Sequence, residues 1–322
     1  MERPLACWEG QDRYDQQVLP SLTVILKTTG CRHNRCRMCS YRFERHTGIE
    51  GDTVALIRSQ LQWIKEHHDL AKIRMVKIYT SGSFFDPVEV PPLAAQETAD
   101  LFSGKLVIAE TRPEYVDSSR IEDFMARIDS GEWTTPLTIA IGLETVTDTI
   151  REKSIDKGFR WQDFLKAAGE ARRAGAGIKA YLLHKPPFLT ESEALQDMER
   201  SIREVNGIAD MISMNPCTVQ RMTELEYYWK RNAYRPPYLW SVLSILLSAP
   251  AFVSCDPVGG GHARGPHNCG GCDPDLVKAI REYNLTADRG LLTEAFEKEC
   301  GCRDEWDFVL LREESYALPL TR

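Results

Sequence analysis

From residue 22 to about 218 the chain repeats one pattern: a short apolar run rich in β-branched residues, a polar turn, then an amphipathic stretch. Short apolar runs bounded by turn residues read as strands, and longer stretches with apolar residues three and four apart read as helices. Strands are predicted at Leu22–Thr29, Met75–Thr80, Lys105–Thr111, Leu137–Leu143, Gly177–His184 and Met211–Asn215. Helices are predicted near 52–67, 90–102, 118–128, 158–175 and 190–205. Ile57, Leu61 and Ile64 share one helical face, as do Trp161, Phe164, Leu165, Ala168 and Ala171. Asp52 suits a helix N-cap and Gly175 a helix stop. Six near-continuous apolar strands separated by helices imply an α/β fold with a parallel sheet covered by helices. Right-handed crossovers wind such strands into a doubly wound sheet or a full or partial barrel. In either case ligands collect at the C-terminal ends of the strands.

Past residue 218 the texture changes. Tyr227-Tyr228-Trp229-Lys230-Arg231 through Tyr234-Arg235-Pro236-Pro237-Tyr238 mixes aromatic and basic residues, and a glycine-rich stretch and a second cysteine group follow. The expected organisation is an N-terminal segment 1–20, a core 21–220 and a C-terminal extension 221–322. Hydrophobic content of 43% and charged content of 27% over 322 residues suit one large core with a small appendage. The net charge of −7 provides no global basic field. A bound RNA therefore has to meet a local patch or be held partly by another protein. The N-terminus lacks the apolar core of a signal peptide, and the most apolar stretch, 239–253, is too short and too broken by Pro250 to span a bilayer. A cytoplasmic location with no membrane contact is expected. Ten cysteines in such a chain favour metal or catalytic roles over disulfides.

Three of these cysteines stand together after the first predicted strand. Cys31, Cys36 and Cys39 are spaced Cys-x4-Cys-x2-Cys, with Arg32, Arg35 and Arg37 interleaved. Three thiolates on one loop can hold a cubane iron–sulfur cluster and leave its fourth iron open to a ligand. The alternative is a structural zinc loop completed by His33 or His46.

Other candidates fall at strand ends. Thr80-Ser81-Gly82-Ser83 is a small-residue turn that exposes backbone groups and hydroxyls, either to a ligand or as an ordinary connection. The third strand ends in Glu110-Thr111-Arg112-Pro113-Glu114, where carboxylates suit ribose hydroxyls and an arginine suits a carboxylate. Glu144 tips the fourth strand. Lys179 lies inside the apolar fifth strand, either paired or aimed into a site. His184, at the end of that strand, is a proton donor or a hydrogen-bonded structural residue.

Taken in order, Cys31/Cys36/Cys39, Ser81-Gly82-Ser83, Glu110-Thr111-Arg112-Pro113-Glu114 and Ile141-Gly142-Leu143-Glu144 resemble the radical S-adenosylmethionine superfamily, over roughly residues 20 to 220. The Glu-Thr-Arg-Pro and Gly-Leu-Glu-Thr segments resemble its elongator-type, tRNA-modifying branch. The first motif departs from the common pattern. Four residues rather than three separate the first two cysteines, and Met38 stands where an aromatic usually precedes the third. The resemblance implies a partial (β/α)6 barrel of radical S-adenosylmethionine type with a small cysteine-rich C-terminal extension. It also implies a [4Fe–4S] cluster on Cys31, Cys36 and Cys39 that binds S-adenosylmethionine and, with an electron from a reducing donor, generates a 5′-deoxyadenosyl radical. Ser81, Gly82 and Ser83 would contact the methionyl group. Glu110 and Arg112 would lie near the ribose and carboxylate, and Gly142 and Glu144 near the adenosyl end or the substrate. Tyr41 would pack on the adenine, and Glu144, Lys179 and His184 are the catalytic candidates.

In the tail, Cys269-x2-Cys272 and Cys300-x-Cys302 supply four thiolates, enough for a closed tetrahedral zinc site. Cys255, His262 and His267 compete as ligands, and a second iron–sulfur cluster is the other metal reading. Cys7 and Cys217 are unassigned thiols. The Cys-Asp-Pro and Gly-Pro-His-Asn-Cys segments resemble the radical S-adenosylmethionine subunit family of archaeosine synthase. That resemblance implies a lyase-type reaction. Lysine-modified preQ0, a deazaguanine base at position 15 of tRNA, would become archaeosine by radical C–N bond cleavage, alongside a lysine-transferring partner subunit. The rival readings are another elongator-like or methylthiotransferase-like tRNA-modifying enzyme, and a non-catalytic zinc-bearing RNA-binding subunit.

Overall fold

The computed structural model describes residues 2–46 and 50–314. Eight strands form one sheet in which spatial order equals chain order. They are β1 (Ala6–Tyr14), β2 (Gln17–Ile25), β3 (Met75–Tyr79), β4 (Leu106–Thr111), β5 (Leu137–Glu144), β6 (Gly177–His184), β7 (Met211–Pro216) and β8 (Ser254–Cys255). A doubly wound sheet reverses its order midway. Here every crossover steps the same way, so right-handed connections put all their helices on one face. This is the winding of a partial (β/α) barrel, and it decides between the two architectures the pattern allowed.

Helices α1 (Glu50–His67), α2 (Pro92–Leu101), α3 (Ser118–Ile128), α4 (Trp161–Arg173) and α5 (Glu191–Val205) fall where periodicity put them. Gly175, at φ +82°, reverses the chain after α4, a conformation that suits glycine. Asp52 is not a cap, because α1 already begins at residue 50. Thr190 instead makes a full capping box with Glu193 at the start of α5.

The N-terminal segment holds a strand that the apolar pattern did not show. β1 pairs antiparallel with β2, from Ala6 opposite Ile25 to Tyr14 opposite Gln17. Its middle residues are exposed, so it carries little apolar signal. β2 accordingly begins five residues before the apolar run at Leu22 and ends at Ile25, freeing residues 26–40 as the cysteine-bearing loop.

Two compact units divide the chain. The first comprises the chain up to Asn34 with Tyr41–Gly142 and Gln162–Lys179. Its register sets Thr23, Lys77, Ile108 and Thr138 in one row across β2 to β5. Since paired residues share a face, the next row toward the strand ends holds Ile25, Tyr79, Glu110 and Ala140. The opposite face is Leu22, Val24, Val76, Ile78, Ala109, Ile139 and Ile141, all buried. One face is thus a core for the helices, and the other carries the polar groups.

The second unit comprises Arg35–Ser40, Leu143–Trp161 and the chain from Ala180. Beyond β7 it contains α6 (Glu224–Trp229), α7 (Leu239–Ser248), α8 (Asp273–Thr286), α9 (Arg289–Glu297) and α10 (Cys302–Arg312). Helix α7 is buried on nearly all sides and packs against α5, α8 and α9. The extension also adds β8 to the sheet, Ser254 pairing with Ser213 and Cys255 with Met214. Among the described residues no helix is long and apolar enough to cross a membrane.

Candidate active site and metal centre

The turn after β3 is built against the beginning of the cysteine loop. A Cβ on Gly82 would stand 2.5 Å from the Cys31 Cα and 2.3 Å from Glu89 Oε2. Only glycine lets these two backbones approach so closely. Glu89 is fully buried and bridges both segments: it accepts the Thr28 hydroxyl at 2.6 Å and the Ser83 N–H at 2.6 Å. Burial pushes its carboxyl up to about 7 against the opposing pull of the Thr28, Thr80 and Ser83 donors. The same turn is tied to the end of β4. Phe84 N–H donates to the Glu110 carbonyl at 2.9 Å, and Arg112 N–H donates to Ser83 Oγ at 3.1 Å. The Arg112 side chain is buried and donates to Glu114 at 2.6 Å. Arg32 donates to the buried Asp86 at 2.7 Å and lies over the Tyr115 ring. Ser81 Oγ is buried without a hydrogen-bond partner among the described residues. Such an orphaned hydroxyl beside a close-packed cradle is what a bound small molecule would satisfy.

Sequence reasoning singled out Ser81, Gly82, Ser83, Glu110 and Arg112 but missed Glu89, Thr28 and Asp86. The signal for Glu89 was a lone carboxylate in an otherwise apolar Val88-Glu89-Val90-Pro91 run.

In the second unit Cys36 and Cys39 lie on a short turn closed by the Cys39 N–H to Cys36 carbonyl bond. Between them Arg37 fixes the loop. Its N–H donates to the Ile155 carbonyl, its own carbonyl accepts from Leu225, and its guanidinium pairs with Glu224 at 2.7 Å. Ser40 N–H donates to Gln220 Oε1 at 2.7 Å. Met38, at the place where the superfamily resemblance calls for an aromatic, packs against the Cys217, Val219, Leu225 and Tyr234 cluster. Cys31, Cys36 and Cys39 are half-buried and in no disulfide among the described residues, and Tyr41 is exposed at the start of a short 3-10 turn.

Glu144 ends β5 in the left-handed region at φ +68°, unusual for a non-glycine residue and the mark of a position held by its surroundings. Lys157 Nζ holds its carboxylate at 2.6 Å. The buried Arg151 donates to the Leu143 and Thr145 carbonyls and pairs with Asp148, stitching the strand end to a π-helical turn, Ile150–Ile155.

The remaining two catalytic candidates are on β6. Lys179 is the third residue of β6, near the strand's N-terminal end rather than the C-terminal ends that carry Glu110, Gly142 and Glu144. Its charge helps Lys77 and Ser21 hold Asp12 low despite the burial that opposes ionisation there. His184 is fully buried, and burial lowers its imidazole to about 4. Neither ring nitrogen has a hydrogen-bond partner among the described residues. A neutral, enclosed imidazole suits a structural residue better than a proton donor.

In the extension Cys269, Cys272, Cys300 and Cys302 converge, all four sulfurs within 4.8 Å of one another. Neighbouring sulfurs are separated by 3.8 Å (Cys269–Cys272), 3.6 Å (Cys269–Cys300), 3.6 Å (Cys272–Cys302) and 3.3 Å (Cys300–Cys302). One tetrahedral ion about 2.3 Å from each thiolate sets its sulfurs about 3.8 Å apart, so the donor set fits a single ion. Backbone N–H groups of Cys272 and Gly271 draw the Cys269 thiol down to about 7. Trp240 Nε1 donates to Cys302 Sγ at 3.3 Å, and Asn268 Nδ2 to Cys272 Sγ at 3.4 Å. Outer donors of this kind orient metal ligands. Cys255, His262 and His267 stand outside this group. Cys255 is buried in β8, and His267 Nδ1 bonds to the Gly265 carbonyl.

Strands wound in chain order, a three-cysteine loop after the first parallel strand and a glycine turn packed on that loop define a radical S-adenosylmethionine protein. The chain is 38% identical to archaeosine synthase subunit beta of Methanosarcina acetivorans, over 98% of this chain and 93% of that protein. It is 32% identical to archaeosine synthase subunit beta of Thermococcus kodakarensis, over 94% and 95%. It therefore belongs to the archaeosine synthase subunit beta family. No protein-family model matches the chain. Among solved structures, Elp3 of Methanocaldococcus infernus aligns with a TM-score of 0.49 and 16% identity, over 73% of this chain and 60% of that one.

Proposed function

We propose that this chain is a tRNA-modifying lyase that converts lysine-modified preQ0 at position 15 to archaeosine by cleaving the lysine C–N bond. In this reading the partner subunit that its relatives' designation as subunit beta implies transfers the lysine, and an external donor supplies the electron. The single observation that carries the catalytic reading is the Gly82 turn packed on Cys31 and pinned by Glu89. Cys31, Cys36 and Cys39 would hold a [4Fe–4S] cluster, and the buried Ser81 hydroxyl fits the polar end of S-adenosylmethionine. Bound together, cluster and S-adenosylmethionine would supply the radical chemistry for hydrogen-atom removal from the substrate.

The chain's own residues orient and enclose. Glu89 fixes the distance between the cysteine loop and the methionyl turn. Arg112, backed by Glu114, offers a guanidinium to a carboxylate, and Glu110 faces the polar side of the sheet with Tyr79 and Ala140. Glu144, oriented by Lys157, is the candidate adenosyl or substrate contact. Cys269, Cys272, Cys300 and Cys302 would hold a structural zinc ion that needs no open position.

The test is anaerobic incubation of reconstituted protein with S-adenosylmethionine, reductant and lysine-modified tRNA, with and without the partner. Archaeosine and 5′-deoxyadenosine are expected together by nucleoside mass spectrometry. Formation of 5′-deoxyadenosine without archaeosine in the presence of the partner would retain the radical chemistry and overturn the substrate.

A further inference from the structure

Among the described residues, two arginines in this acidic chain have no carboxylate partner. Arg231 lies 3.6 Å over the Tyr227 ring and donates to the Tyr227 carbonyl. Arg235 lies 3.4 Å over the Tyr238 ring and donates to the carbonyls of Pro236 and His267. Among the described residues neither is paired with a carboxylate. Nearby Arg264 behaves differently: it is neutralised by Glu226 at 2.6 Å while stacking on Trp229 at 4.5 Å. A stacked guanidinium is pre-organised, and without a carboxylate partner its remaining N–H groups are free for an anion.

Beside Arg235 a cavity of about 250 Å³ opens, lined also by Phe188, Trp229, Asn232, Tyr234 and His267. It lies directly after the C-terminal end of β6, since Lys185 and Phe188 also border it. Its walls offer aromatic rings. Its polar groups include the Asn232 amide, the second His267 nitrogen and the Arg235 guanidinium, which suit the edge of a heterocycle rather than an aliphatic chain, while Glu313 is held by the Glu191 N–H and Lys185. The cavity exceeds the volume of a single nucleobase. Tyr227, two residues before Trp229 in the chain, is half exposed.

We infer that this cavity receives one unstacked base of the tRNA, with Trp229 or Phe188 against its face and Arg231 and Arg235 on the flanking phosphates. Single-stranded RNA is held in this way elsewhere, by base–aromatic stacking combined with arginine contacts to the backbone. The inference rests on the proposed tRNA substrate and names where this chain grips it. A local grip of two uncompensated arginines also reconciles RNA binding with the net charge of −7.

The experiment measures binding of an unmodified tRNA transcript to the full-length, cluster-reconstituted protein by fluorescence anisotropy across a salt series. Trp229→Ala is expected to weaken binding by roughly fivefold or more with little change in salt slope, and Trp229→Phe to restore most of the loss. The pair Arg231→Ala and Arg235→Ala is expected to lower the slope of log K against log salt by about one per arginine. Because Trp229 supports Arg264, the exposed Tyr227→Ala, which leaves that contact intact, serves as a second variant and should also weaken binding. Wild-type affinity in all these variants, or no measurable tRNA binding by the wild type at low salt, overturns the inference. So does intact tRNA binding combined with lost association with the lysine-transferring subunit, which would make the face a protein interface. If tRNA binds here as described but no archaeosine forms, the proposed reaction fails and this site stands. If archaeosine forms at full rate in every variant, the reverse holds.

Discussion

Lys185 and Glu191 form an ion pair at 2.7 Å with both side chains almost wholly excluded from solvent. Glu191 Oε1 also accepts from Tyr238 N–H and Ser241 Oγ, so the pair joins the end of β6 to the starts of α5 and α7. Burial alone would raise the Glu191 carboxyl, but the Lys185 charge with the Lys185 and Ser241 hydrogen bonds outweighs it and holds it low. Removing one partner leaves a buried uncompensated charge. Lys185→Met is expected to cost about 3–5 kcal/mol, with Lys185→Met/Glu191→Gln recovering a large part. Urea unfolding checks this, and a single-variant loss under about 1 kcal/mol would contradict the buried geometry.

The neutral His184 makes stability depend on pH. Its folded value of about 4 lies below the 6.5 of an exposed imidazole. Between these values the unfolded chain binds a proton that the folded chain does not. Stability should therefore fall as pH drops from about 6.5 toward about 4, by an amount on the order of 3 kcal/mol. In His184→Leu this part of the pH profile should flatten. An unchanged slope in that variant would assign the dependence to other groups.

Gly82→Ala is expected to abolish reductive cleavage of S-adenosylmethionine, because the new methyl overlaps the Cys31 backbone and the Glu89 carboxylate. Ser81→Ala should behave differently. Its hydroxyl has no partner to lose among the described residues, so thermal stability should hold while the affinity for S-adenosylmethionine drops several-fold, in line with about 1 kcal/mol per hydrogen bond. Loss of stability in Ser81→Ala with unaltered affinity would remove Ser81 from the site.

In the extension, one metal ion per chain is expected at the four clustered thiols, and Cys302→Ser should lower both metal content and thermal stability. Cys255→Ser should leave the metal content unchanged, since its sulfur is buried outside the cluster. Elemental analysis and spectra of the cobalt-substituted protein, which report tetrahedral thiolate ligation, distinguish the two variants.

The parallel strands and their helices were legible because burial on both faces writes long apolar runs into β3 to β7. Strand β1 was not, since Glu9, Gly10 and Gln11 are exposed, and neither was the two-residue β8. The cysteine motifs showed themselves by spacing. Glu89 and the Lys185–Glu191 pair did not, because a buried charge looks like a surface charge until its partners are known. Lys179 attracted attention as a charge inside an apolar strand. Its charge is felt by Asp12, on a strand that periodicity had not shown.

The four thiolates of the extension also act as a clasp. Cys272 and Cys300 bracket α8 and α9, so an ion held by both cysteine pairs closes a loop of about 30 residues. By the chain-entropy model, closing such a loop is worth about 3–4 kcal/mol. A disulfide would do the same, but not in a reducing compartment. With an ion at this site, metal supply would become a folding condition for the unit that carries the Trp229 cavity. Protein made in zinc-poor medium should assemble its first unit, with Gly82 and Glu89 in place, while its tail remains open to proteases.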